Sequence, residues 1–371
     1  MGSYRPYIFF GSIPLALSFI LLFWVPPFEG SLLFVFLIIV NIFHRTCFTI
    51  VSVPYSSLTA RISDDSEERT KLTTARMLGA SFGTLSISAL GFPIINWFGS
   101  GEESLGFVYL GICSGLAAIL ILAITVKTVK ERNFDIEFSK LPSFSEVSKS
   151  IVNNYAFLIV FASTLTLITT SIMFNKNLIY YTKYALGLHE FQGLILGVSS
   201  ASDFLAIPIW AYFALKIGKR NSWLISMSLL VFSFLFFYLY PIKNLIELLI
   251  VLIALGIGNG ATGVLFWSML PDTIEYGEWK TGVRTESSLY GFMTFAQKGG
   301  IAISALILGM LLTNIGFIPN TVQSEETLES LKSLMTFIPL AGVVISFILV
   351  YFYPIDSKFH KKLIREINER S

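Results

Sequence analysis

The stretch Glu286–Gly309, ESSLYGFMTFAQKGGIAISALILG, carries one charge beyond its first residue, Lys298, in an otherwise apolar run. A helix starting near Glu286 advances about 1.5 Å per residue, which puts Lys298 roughly 18 Å along it. That depth is close to the middle of a hydrocarbon layer roughly 30 Å thick. A lysine there faces either a polar interior or a charge partner, because a lone ammonium in hydrocarbon is costly.

Composition says the layer is real. Hydrophobic residues make up 54% of the 371-residue chain, charged residues 13%, and phenylalanine occupies 34 positions, far from the charge content of a soluble domain. Apolar runs long enough to cross a bilayer recur at about 7–25, 31–57, 75–98, 106–126, 154–175, 191–215, 222–241, 245–270, 287–313 and 333–353. An all-α integral membrane bundle of about ten spans is expected. The first run ends in FWVPPFEG without a small-residue cleavage pattern, so it is read as a retained helix. A net charge of +2 says nothing about nucleic acid, no basic tract interleaved with aromatics appears, and no nucleic-acid partner is expected.

Basic residues sort onto one side of this bundle. One set of loops holds Arg5, Arg61, Arg69, Lys71, Arg76, the run from Lys127 to Lys149, KIGKR, Lys280, Arg284 and the tail; the other holds Lys176, Lys183, Lys243 and Lys332. The bias places both termini in the cytoplasm of a cell-membrane protein. The polar connection KTVKERNFDIEFSKLPSFSEVSKSIVNN divides four spans from six. The expected organisation is an amino-terminal half at 1–127, a central loop at 128–153, a carboxy-terminal half at 154–353 and a tail at 354–371. Transporters built from two six-helix halves carry such a central loop. The basic-turn-then-helix start, YRPYIFFGSIPLALSF, matches the turn KIGKRNSWLISMSLL inside the second half, which suggests two spans preceding Met1.

Four stretches carry a family resemblance: RPYIFFGSIPLALSF, TIVSVPYSSLTARISDDSEERTKLTTARM, PDTIEYGEWKTGVRTESSLYGFMTFAQKGG and YPIDSKFHKKLIREINER. With the span pattern they cover essentially the whole chain. The sequence resembles the glycoside-pentoside-hexuronide:cation symporters, melibiose permease-like members of the major facilitator superfamily. The resemblance implies two further amino-terminal helices in the family, and sugar or glycoside symport with sodium or a proton by alternating access. It implies no cofactor beyond that ion and no enzymatic activity. Where the family has an acidic sugar contact this chain has Ser52.

Candidate residues follow from helical spacing and from the resemblance. Tyr290, Thr294 and Lys298 recur every four residues with Gln297 alongside, forming one polar face. Thr294 and Lys298 also match a sugar-contacting threonine and a coupling lysine of the family. Asn41, Arg45, Thr49, Ser52 and Ser56 make a second polar stripe, which either lines a solute path or ties helices together. Asp203 is an acid well inside a span; it is expected to pair with Lys298 or Arg45, as a coupling group or a fixed ion pair. The resemblance assigns Arg76 to sugar binding, and Arg69 to a cytoplasmic gate with Asp272, Glu275 or Glu278; Arg284 lies in the same charged turn. Solute binding is thus assigned to Ser52, Arg76, Tyr290, Thr294 and Gln297, and coupling to Lys298, Asp203 and Arg45.

Glycines in LGIGNGATG suit close helix packing, and hydroxyls around Thr164–Ser171 suit a polar cavity. Three histidines and two cysteines form no metal-ligand spacing, and no phosphate-binding loop appears. A monomer in the bilayer with a small-molecule substrate is expected. Two alternatives stand beside sugar symport: transport of a lysolipid or other amphiphile on the same fold, and a truncated membrane protein that is nonfunctional or only interacts.

Overall fold

The computed structural model describes residues 2–63, 65–99, 102–131, 144–319 and 321–369. The described elements are helical: α1 (Arg5–Phe23), α2 (Gly30–Ile62), α3 (Ser66–Gly99), α4 (Glu103–Thr128), α5 (Phe144–Val152), α6 (Tyr155–Tyr184), α7 (Gln192–Ile217), α8 (Lys219–Leu239), α9 (Leu245–Thr281), α10 (Glu286–Asn314), α11 (Glu325–Tyr351) and α12 (Ser357–Asn368). A single 3₁₀ turn, His189–Phe191, leads into α7. Nine of these helices are long and apolar enough to cross a membrane among the described residues. The span expected at 75–98 falls on α3, which is 34 residues long. Part of the expected central loop, 132–143, lies outside the described residues, and α5 occupies its end.

Helix starts are set by polar caps. Asn154, Asn244, Ser324 and Asp356 each accept a backbone N–H three residues on, at 3.0, 3.0, 3.2 and 2.7 Å, which satisfies donors that a helix leaves orphaned. α9 ends at Gly282 in the left-handed region (φ +70°), a conformation that only glycine adopts without strain.

Two compact units emerge, one from 1–64 with 79–141, the other from 65–78 with 142–371. In the first, Ile8, Val51, Leu58 and Val126 form a buried cluster joining α1, α2 and α4. The Glu131 carboxylate receives the backbone N–H groups of Ser3 and Arg5 at 2.7 and 2.9 Å, fixing the start of α1.

In the second unit α9 is the central helix. Every residue from Val264 to Gly277 is buried, so the helix is enclosed on all sides. Hydropathy ends this span near residue 270; the helix runs on to Thr281 through Asp272, Glu275 and Glu278. Its glycines make that centrality possible. A Cβ at Gly260 would lie 2.5 Å from the Asp203 carbonyl oxygen and 2.8 Å from Ala206 Cβ, and one at Gly258 would lie 2.7 Å from Leu230. The backbone of α9 therefore touches α7 and α8 directly, as small residues permit in membrane bundles.

The Gly260→Ala substitution should destabilise the protein by about 1–3 kcal/mol, as overpacking a closed contact does. The same change at Gly309, inside α10 where a Cβ meets nothing within 4 Å, should instead stabilise by up to about 1 kcal/mol through helix propensity. Thermal unfolding of the two variants in detergent reads the difference.

Candidate functional site

Asp272 and Glu275 are three residues apart on α9 and so share a face. Three other helices bring cationic or imidazole groups to them. Arg69, from the first turn of α3, hydrogen-bonds Glu275 Oε1 and lies 3.6 Å from Asp272 Oδ1. Lys219 opens α8, where Gly218 (φ +88°) turns the chain. Its Nζ donates to Asp272 Oδ2 and to the Ser268 carbonyl, both at 2.7 Å. His360 of α12 sits with Nε2 2.6 Å from Glu275 Oε2 and 3.7 Å from Asp272 Oδ1. Because a carboxylate only accepts, Nε2 carries the proton in that bond. Arg69, Asp272 and Glu275 are 0%, 3% and 2% exposed.

The charges close: two carboxylates face a guanidinium and an ammonium, and the imidazole adds a donor. Ligand atoms of Asp272, Glu275 and His360 lie within 4.8 Å of one another, a donor set able to hold a cation. Arg69 and Lys219 already supply that positive charge, so the arrangement works first as a buried ion-pair network. Tyr353, 2% exposed, lies beside it. Burial, then the nearby Asp272 and Glu275 carboxylates, hold its phenol well above the ordinary tyrosine value.

Glu278 does not join Arg69. It accepts from Arg284 Nη1 at 2.6 Å, and Arg284 Nε bonds Glu286, clasping the turn between α9 and α10. Burial works against the Arg284 charge, but Glu286 and Glu278 outweigh it and hold the guanidinium above its ordinary value.

Two turns beyond Arg69 on α3, the Arg76 guanidinium carbon lies 4.5 Å from the centroid of the Trp267 ring. The Tyr290 ring runs nearly parallel to that indole, at 18° and 6.1 Å between centroids. Tyr290 is fully buried, and Thr294, Gln297 and Lys298 are half-buried further along α10. Thr294 donates its hydroxyl hydrogen to the Tyr290 carbonyl at 2.9 Å, which leaves the oxygen lone pairs for another donor. The second unit thus gathers a guanidinium, two stacked and buried aromatic rings and a row of half-buried polar groups. Trp267 escaped the sequence reading because a tryptophan in an apolar run looks like packing; its seat one turn before the acidic pair was the available signal.

The remaining candidates lie elsewhere. On α2, Asn41, Arg45 and Thr49 are exposed, with Arg45 Nε donating to Asn41 Oδ1 at 2.8 Å. Ser52 is half-buried, and its hydroxyl has no hydrogen-bond partner among the described residues. Asp203 on α7 accepts from Asn259 Nδ2 at 3.0 Å; this amide takes the place of the lysine or arginine expected from sequence.

The described residues hold ten long helices, nine of them apolar enough to cross a membrane, and the second unit carries both the charge network and the aromatic-polar face, an arrangement that fits a multi-pass membrane transporter of small solutes. A family model described as MFS/sugar transport protein matches residues 1–357, and the chain belongs to that family. It is 27% identical over 375 residues to a glucuronide carrier protein homolog of Escherichia coli (strain K12), covering 100% of this chain and 81% of that one. It is 27% identical over 376 residues to an isoprimeverose transporter of Lactiplantibacillus pentosus, covering 100% and 77%. Its fold resembles the major facilitator transporter FucP in the outward conformation, with a TM-score of 0.67 at 13% identity, covering 95% of this chain and 84% of that one.

Arg69→Ala should destabilise the protein by about 3–5 kcal/mol, because it strips a buried carboxylate pair of a cation. Glu275→Ala in the same chain should recover part of that loss. A double-mutant cycle on thermal unfolding checks the coupling.

Proposed function

We propose that this protein is a cation-coupled symporter of glycosides or related sugars, of the glycoside-pentoside-hexuronide type, working by alternating access. The observation that carries the reading is the Arg76–Trp267–Tyr290 stack with Thr294, Gln297 and Lys298 beyond it. A sugar presents an apolar ring face edged by hydroxyls. The flat indole matches the face, the planar guanidinium matches a pair of neighbouring hydroxyls or a carboxylate, and Thr294 accepts from a single hydroxyl. Lys298 brings a charge that can answer to the coupled ion as well as to the solute. Two relatives, a glucuronide carrier protein homolog and an isoprimeverose transporter, support the same solute class.

The network of Arg69, Lys219, Asp272, Glu275 and His360 acts in this reading as a gate on the side predicted to be cytoplasmic. Formed, it ties α3, α8, α9 and α12 together; broken, it exposes charge to water, where the separated ions are resolvated at modest cost. Such an element has two discrete arrangements, which is what a transport cycle needs.

Binding to the purified chain tests the proposal, with a panel of neutral glycosides, hexuronides and lysophospholipids. Glycosides or uronides should bind, and Trp267→Ala and Arg76→Ala should each weaken that binding at least tenfold, about 1.4 kcal/mol. Trp267→Phe should retain most of it. Binding of lysophospholipid alone, or glycoside binding indifferent to both alanine variants, overturns the reading.

A further inference from the structure

The second unit holds a partly open pocket away from the stack. It has about 40 Å³ of room for water-sized groups, and α6, α7, α8, α9 and α11 line it. The wall is largely leucine, phenylalanine and valine, interrupted by a polar strip: Thr170, Ser171, Asn175, Ser199, Asp203 and Asn259. Asp203 is the one titratable group among the residues facing this space. From α6, α9 and α11 it is met by hydroxyls, amides and carbon, and α8 contributes Leu230 and Phe234.

A directed chain of hydrogen bonds orients the carboxylate. Ser171 Oγ donates to Asn259 Oδ1 at 3.3 Å, and Asn259 Nδ2 donates to Asp203 Oδ2 at 3.0 Å. The second carboxylate oxygen has no hydrogen-bond donor among the described residues. Gly256 lets it approach α9: a Cβ there would sit 3.1 Å from Asp203 Oδ1 and 3.0 Å from the Ser199 carbonyl oxygen.

The buried acids of this unit for which an ion pair is seen each meet a fixed cation: Asp272 has Lys219, Glu275 has Arg69, and Glu286 has Arg284. Half-buried Asp203 has, among the described residues, an amide instead. A carboxylate within a membrane helix and without a protein cation takes its compensating charge from outside the chain. We infer that the Asp203–Asn259–Ser171 pocket of the second unit binds a small monovalent cation, a sodium ion or a proton, which neutralises the carboxylate. The donors suit either: a hard carboxylate with hydroxyl and amide oxygens around it suits sodium, and a single oxygen without a donor suits a proton. For its role the inference rests on the symport reading, and it would place the coupled ion apart from the solute. Its test does not involve the solute, so the two readings fail separately.

Infrared difference spectroscopy on the full chain in liposomes decides it. Sodium chloride is exchanged for choline chloride at fixed pH, and pH is then stepped without sodium. A carboxylate band that moves with sodium identifies that ion; a protonated-carboxyl band that grows as pH falls identifies a proton. Either signal should vanish in Asp203→Asn and shift in Asn259→Leu, which removes the donor to Oδ2. Superimposable wild-type and Asp203→Asn spectra in both titrations overturn the site. Should Asp203→Asn fail to accumulate, Asn259→Leu carries the test, and a band unmoved in that variant overturns it equally.

Discussion

The second unit depends on neutralising two carboxylates in the middle of its most enclosed helix. α9 is buried on all sides from Val264 to Gly277, and Asp272 and Glu275 fall inside that stretch. Buried alone, each would cost several kcal/mol. Arg69, Lys219 and His360 come from helices far apart in sequence, and each completes a bond to one of these acids. The cost of breaking one pair is therefore shared by the packing of four helices. A network of this kind specifies which helices meet α9 more strongly than apolar packing alone, since a leucine tolerates many neighbours and a carboxylate few.

That network also explains where the sequence was legible and where it was not. Ten apolar runs predicted ten long helices because lipid permits little else, and the runs at α1, α4, α8 and α10 agree with the helices within a few residues. The extension of α9 past residue 270 was hidden. PDTIEYGEWK looks like a charged surface turn until its cations are known, and those lie on α3, α8 and α12. The tail is part of the same cover: Leu363 and His360 of α12 are buried, and Trp279 Nε1 donates to Glu366 Oε2 at 2.7 Å. One-dimensional hydropathy cannot show that a charged segment is covered by another charged segment.

The candidate site was legible to a similar degree. Helical spacing put Tyr290, Thr294 and Lys298 on one face, and that much needs only the 3.6-residue period. Beyond the partners that the resemblance implied for Arg69, pairings across helices needed three-dimensional information. Asp203 illustrates the limit: its depth was evident, but its partner, Asn259, looked like part of a glycine-rich packing segment. The glycines that disguised it, Gly256 and Gly260, are what bring α9 within reach of α7.

The two polar systems of the second unit answer different physical demands. At Asp272 and Glu275 the compensating charges are covalently part of the chain, so neutrality there changes only when helices move. At Asp203 neutral groups orient the acid and, among the described residues, no side chain neutralises it, so in the proposed reading its charge changes without a helix moving. Both lie against α9, Asp203 through Asn259 and Gly256 near the helix middle, the ion-pair network near its carboxy-terminal end. α9 is enclosed from Val264 to Gly277 and carries contacts of both systems, so a shift of this helix that alters one is in position to alter the other.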